Sequence, residues 1–183
     1  PKMVEELGVG VIPLEFQLKG KSYFNYPDER EISTKEFYRI VREGESATTS
    51  QVTVHRYTDY FEEVLKHGRD VLYIAFSSGL SGSCNSAKVA AQELQAKYPD
   101  NRVEVVDSLC ASLGQGLYVY HAVQEKKKGK SIDQVIQWLE ENKLNLCHWF
   151  TVDDLNHLKR ADGVSGYSLL WHYAEYQAGS PCG

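Results

Sequence analysis

The four cysteines, Cys84, Cys110, Cys147 and Cys182, form no C-x-x-C pair, and no histidine stands at zinc-finger spacing from any of them. That pattern excludes a zinc finger or ribbon. A disulfide framework is not expected in a chain of this size with an ordinary core. The cysteines read instead as small buried hydrophobes in a reducing, cytoplasmic setting. Long apolar runs are missing too. The longest, residues 71–76 and 117–123, fall short of the roughly 20 residues a membrane-spanning helix requires. Lys2, Glu5 and Glu6 interrupt any signal-peptide pattern. Nor is there an excess of positive charge. Twenty Lys and Arg against 25 Asp and Glu leave a formal charge of -5, which argues against nucleic acid as a partner. With no initiator methionine before Pro1, the sequence is expected to be a piece of a longer protein.

What is present is an ordinary globular composition. At 183 residues, 42% hydrophobic and 25% charged, the chain can build one domain with a core, or one domain and a fragment of another. Residues 9–16 form a β-rich run in which Pro13 forces an edge or irregular position. Lys19-Gly20-Lys21 turns the chain toward a second short strand at 22–25. Ser33-Thr34-Lys35-Glu36 has the form of a capping box, with Phe37, Ile40 and Val41 following at helical spacing. A further helix is predicted over 53–67, with Tyr57, Tyr60, Phe61 and Leu65 on one face and Gly68 closing it. Strand and helix then alternate. Apolar runs at 70–76 and 102–106 read as strands buried on both faces, each followed by a loop and a helix. Lys126 to Lys130 is a basic turn that reads as a solvated helix end. Ser131 caps a helix carrying Val135, Ile136 and Leu139, residues 145–152 are a third strand candidate, and 153–159 begin another helix. The alternation predicts an α/β fold with a mainly parallel sheet flanked by helices.

In such sheets ligands bind where the loops leave the carboxyl ends of the strands. Three loops qualify. The first is Ala47-Thr48-Thr49-Ser50-Gln51, the second runs from Ser77, Ser78 and Gly79 through Leu80, Ser81 and Gly82 to Ser83, and the third is Asp107-Ser108 with Ser112 and Gly114. Hydroxyls and free backbone N–H groups at helix starts suit an anion, although Ser and Thr at such positions also serve simply as caps. Convergence of three such loops favours a small-anion site. A serine nucleophile is not indicated. There is no G-x-S-x-G elbow, and no histidine among His55, His67, His121, His148, His157 and His172 is placed beside a serine by the sequence. No residue spacing suggests a metal.

These loops resemble the DegV family. Residues 8–14 look like its turn into a "viPL" strand, Thr48-Thr49-Ser50-Gln51 matches its TTSQ loop, and residues 77–83 match SSxLSGT, with Ser83 where threonine is usual. Val105-Val106-Asp107-Ser108 matches its "viDS" loop, and Phe150 to Leu155 followed by Leu158-Lys159-Arg160 matches a "tvddL..Lkr" segment. The matches run in order from about residue 8 to 166. The resemblance implies an α/β carrier, not an enzyme, whose ligand is a long-chain fatty acid, with no cofactor beside it. The carboxylate would be held by the hydroxyls of the first two loops, with Thr49, Ser50, Ser78 and Ser81 foremost. The acyl chain would lie in an apolar tunnel, where each buried methylene contributes about 0.8 kcal/mol. The implied partner is an ATP-dependent fatty acid kinase that phosphorylates the bound acid. The same hydroxyl-rich pocket, and a fold resemblance to dihydroxyacetone-kinase domains, leave open an enzyme acting on a small phosphorylated or carbonyl substrate.

Three departures accompany the resemblance. The family's opening strand, ending in a T-D-S type motif, is absent. Gly163 stands where the family has the arginine of "GRis". Residues 167–183 depart from the family's continuation, but reading one nucleotide later from Trp171 accommodates Gly-Thr-Met-Leu-Asn-Ile-Lys-Pro-Val-Leu, which matches it. The expected organisation is therefore a DegV-like lipid-binding domain over 1–166, with its second domain largely missing, and a frameshifted tail over 167–183.

Overall fold

A computed structural model describes residues 1–148 of the chain. Contacts divide the chain into one compact unit, Pro1–Lys143, and another, Leu144–Gly183. The first unit carries all three hydroxyl loops. The predicted helix at 153–159, most of the third strand candidate, the "tvddL..Lkr" segment and the tail lie outside the described residues. Asn145 itself ends a short 3-10 turn, Lys143–Asn145.

A short helix, α1 (Lys2–Leu7), ends at Gly8 with φ 64. Strand β1 (Glu15–Leu18) begins later than the apolar run predicts. Pro13 has no N–H to give a sheet, and pairing starts two residues beyond it. Lys19 and Gly20, both at positive φ, form the two-residue connection into β2 (Lys21–Phe24). So tight a turn permits only antiparallel pairing, and Phe16 stands opposite Tyr23. On its other side β1 pairs, again antiparallel, with β3 (Ala47–Ser50). This three-stranded sheet buries Phe16 and Leu18 against Ile40 of α2 (Thr34–Arg42). Ser33 caps α2 through the Glu36 N–H, but the Glu36 carboxylate turns to Arg39 instead of closing the box.

The second layer follows the α/β pattern. Helix α3 (Val54–Leu65), capped by Thr53, sets Tyr57, Phe61 and Leu65 one turn apart on a buried face, while Tyr60 stays partly exposed. Helix α4 (Ser83–Lys97) answers with Ala87, Ala90, Ala91 and Leu94. Small residues at this spacing let the two helices approach closely. Between them, α4 carries the chain from β4 (Val71–Ala75) to β5 (Val103–Asp107), which pair in parallel. Helices α5 (Ser112–Lys127) and α6 (Ile132–Asn142) complete the unit, α6 with a full capping box between Ser131 and Gln134. The fold class is α/β. Among the described residues, parallel pairing is confined to β4 and β5, and the other three strands are antiparallel.

Candidate functional site

Ala75 and Asp107 are register partners at the carboxyl ends of β4 and β5, so the second and third loops leave the sheet side by side. Two backbone groups of the second loop fasten it to the third. Ser77 N–H donates to the Cys110 carbonyl at 2.9 Å, and Ser78 N–H donates to Asp107 Oδ1 at 3.2 Å. Asp107 Oδ1 also accepts from Leu109 N–H at 3.1 Å. Just beyond the first loop, Val52 N–H donates to Ser83 Oγ at 3.1 Å. Hydrogen bonds thus join the second and third loops to each other and to the segment after the first.

The predicted site residues separate by what their side chains already do. Ser108 is fully buried. Its hydroxyl donates to the Ala75 carbonyl at 2.6 Å and accepts from Cys110 N–H at 3.1 Å, so it braces the strand end. Ser77 is also buried, and its Oγ accepts from Gly79 N–H at 3.3 Å. Asp107 organises two amides, as above. The Ser81 hydroxyl donates to Ser83 Oγ at 3.0 Å and accepts from Ser83 N–H at 3.2 Å, leaving it one lone pair for a further contact.

Thr48, Thr49, Ser50 and Ser78 are exposed, and their hydroxyls make no hydrogen bond among the described residues. They are the donors still available to an anion. The pleat of β3 divides them, since successive side chains point to opposite faces. Thr49, opposite Phe16, shares the face of Ala47; Thr48 and Ser50 share the other, where Ser50 lies across from Glu15. A carboxylate held at Ser50 would meet the Glu15 carboxylate, a like charge at cross-strand distance. Thr49 lies on the face of β3 away from Glu15, while Ser78 stands beside the Asp107 carboxylate.

Gln51 and Gly82 are placed together: a Cβ on Gly82 would run into the Gln51 side-chain amide. Gly82 has an ordinary φ of -67, so what the position requires is space. It begins α4 without supplying a side-chain cap. Helix N-termini carry a partial positive charge of about half a unit, which complements an anion placed among these loops. The third loop holds two non-glycine residues in the left-handed region, Leu109 at φ 53 and Ser112 at φ 48. Such conformations cost about 1–3 kcal/mol each and concentrate where geometry serves function.

Nucleophiles are poorly provided for. Cys84 and Cys110 are buried, and burial pushes both thiols up, with the Asp107 charge adding to it. His55 faces Asp59, the His67 ring meets the Glu63 carbonyl, and His121 packs at a tilt against Trp138. Among the described residues, no serine hydroxyl is bonded to a histidine. No described helix is long and apolar enough to cross a membrane. A hollow of about 450 Å³ is lined by Ser33, Lys35, Glu36, Arg39, Arg42 and Glu43. Its charged walls contain none of the loop hydroxyls and do not suit an acyl chain.

Sequence reasoning missed Ser83 as a junction between the first and second loops. Its signal was the fourth hydroxyl in the 77–83 run. It also missed β3, because Ala-Thr-Thr-Ser has almost no apolar content.

The family model described as "Uncharacterised protein, DegV family" matches residues 1–170. The chain belongs to the DegV family. A DegV domain-containing protein of Clostridium perfringens is 48% identical over 163 residues, covering 89% of this chain and 56% of that protein. A DegV family protein from Thermus thermophilus, described for its fatty acid binding, superposes with a TM-score of 0.76 at 34% identity, covering 92% of this chain and 57% of its own. DegV from Bacillus subtilis, described as a fatty acid binding protein, gives a TM-score of 0.71 at 32% identity, covering 87% of this chain and 55% of its own. The chain thus spans little more than half the length of these DegV relatives.

Proposed function

We propose that this chain is the head-group half of a cytoplasmic DegV carrier for a long-chain fatty acid. The observation that carries the reading is the hydrogen-bonded joining of the loops after β4 and β5 to the segment that follows β3, with the Thr49 and Ser78 hydroxyls unpaired among the described residues. These two donate to the carboxylate. Ser81 adds a contact by turning its proton from Ser83 to the carboxylate, and Thr48, Ser50 and Gln51 line the approach. Ser77, Gly79, Gly82, Asp107 and Ser108 hold the loops in place. The acyl chain supplies most of the affinity through apolar burial, and the hydroxyls supply orientation. The carrier performs no chemistry itself. It presents the carboxylate to a partner fatty acid kinase, which transfers phosphate to it. Support for a carrier comes from the two relatives described as fatty acid binding proteins.

Mass spectrometry of organic extracts from the full-length protein, purified without added lipid, tests this. A stoichiometric fatty acid that disappears in a Thr49→Ala/Ser78→Ala double variant is expected. A protein that is empty as purified and takes up neither palmitate nor oleate would refute it, and would turn attention to a small phosphorylated or carbonyl substrate in the same loops.

A further inference from the structure

The Ser83 hydroxyl accepts to its capacity, from Val52 N–H at 3.1 Å and from the Ser81 hydroxyl at 3.0 Å. Tyr57, in the core between α3 and α4, bonds the Tyr73 phenol at 3.0 Å. One donor and two acceptors are all a serine hydroxyl can offer. Ser83 and Tyr57 are both buried, so water does not substitute for a lost partner. Tyr57 is itself fixed by ring contacts to Phe61 and Tyr73 inside the core between α3 and α4. Ser83 begins α4, which packs into this core, and its hydroxyl joins two surface elements. One is the amide that immediately follows Ser50-Gln51; the other is the Ser81 hydroxyl of the second loop.

We infer that Ser83 is a positioning residue that sets the distance between the Thr49 and Ser78 sides of the head-group site. The inference rests on the carboxylate reading of that site. Ser83 does not touch the ligand. It holds both loops to one buried oxygen, so that hydroxyls from two separate segments stay aimed at one anion. Without it, the Val52 amide loses its acceptor while Ser81 keeps its bond from Ser83 N–H, so this hydroxyl tie between the segment after β3 and the second loop is gone. Affinity for the alkyl portion is expected to be retained, because the Ser83 hydroxyl is committed to Val52 and Ser81. Discrimination between a carboxylate and an uncharged head group is what falls.

The test compares binding of a fatty acid and its methyl ester to the full-length protein, its Ser83→Ala variant and its Ser83→Thr variant. Amide hydrogen exchange at Val52 is followed in the ligand-free proteins. Ser83→Ala is expected to shrink the acid-over-ester preference by about tenfold, with ester affinity retained, and to speed Val52 exchange by about tenfold. Ser83→Thr keeps the hydroxyl and is expected to preserve both. Wild-type preference and slow Val52 exchange in Ser83→Ala would overturn the inference, as would loss of both in Ser83→Thr. Failure of the unmutated protein to prefer the acid would instead count against the carboxylate reading, and Val52 exchange would still judge the junction.

Discussion

The Ser78 N–H donates to Asp107 Oδ1 at 3.2 Å, joining the loops that leave two adjacent parallel strands. The carboxylate does this as an acceptor, and its charge is not needed for the geometry. Asp107→Asn retains an oxygen for the Ser78 and Leu109 amides and removes a negative charge near the bound carboxylate. Titration with palmitate is expected to show affinity equal to or above wild type for Asp107→Asn, and about tenfold weaker binding for Asp107→Ala.

Ser108 is read as a brace. In Ser108→Ala the Cys110 amide loses its acceptor inside the protein, and the Ala75 carbonyl keeps only the longer bond from the Ser108 amide. Leaving a buried donor unsatisfied costs about 1–3 kcal/mol. Urea unfolding should show a loss of that size, with the acid-over-ester preference unchanged in the folded variant.

Glu15 faces Ser50 across β1 and β3. Removing its charge while keeping its shape, in Glu15→Gln, is expected to raise fatty acid affinity about two- to fivefold. The gain should shrink as salt is added, because the interaction is between exposed charges. An unchanged dissociation constant at low salt would place the carboxylate away from Ser50.

Glu125 is buried at the end of α5 and meets Lys128 and Lys130. Hydrogen bonds from Lys128 and then Lys130 hold its carboxyl below the ordinary value of 4.5. A carboxylate with a lowered folded-state pKa stabilises the fold above its unfolded value and ceases to do so as pH falls through the folded one. Thermal unfolding should therefore show Glu125→Gln less stable than wild type at neutral pH. The two should converge as the pH drops below 4.5.

How much of this was legible follows from the range of the forces involved. Helices α2, α3 and α6 announce themselves because Ser33, Thr53 and Ser131 cap amides only three residues away. β4 and β5 are visible as apolar runs, since burial on both faces leaves no polar alternation. β3 was not visible: Ala47 to Ser50 is a strand only because β1, some thirty residues earlier, supplies its partners. The hydroxyl loops could be found in the sequence, but their division of labour could not. Ser78 and Ser108 look alike as residues, and only the 2.6 Å contact to Ala75 sets Ser108 apart. The basic turn is a solvated helix end, as the sequence reads, with residues 126–129 exposed; what the sequence does not show is that Lys128 and Lys130 also pair with Glu125.

The missing side chain at Gly82 ties two positions into a single unit of variation. Only the far end of a long, flexible amide occupies the space where its Cβ would go. An alanine at 82 is therefore cheap for the backbone but evicts Gln51 from its resting place. A chain with a short residue at 51 would be free to carry alanine at 82. Across DegV proteins the two positions are expected to co-vary in bulk, so glycine at 82 tracks a long side chain at 51.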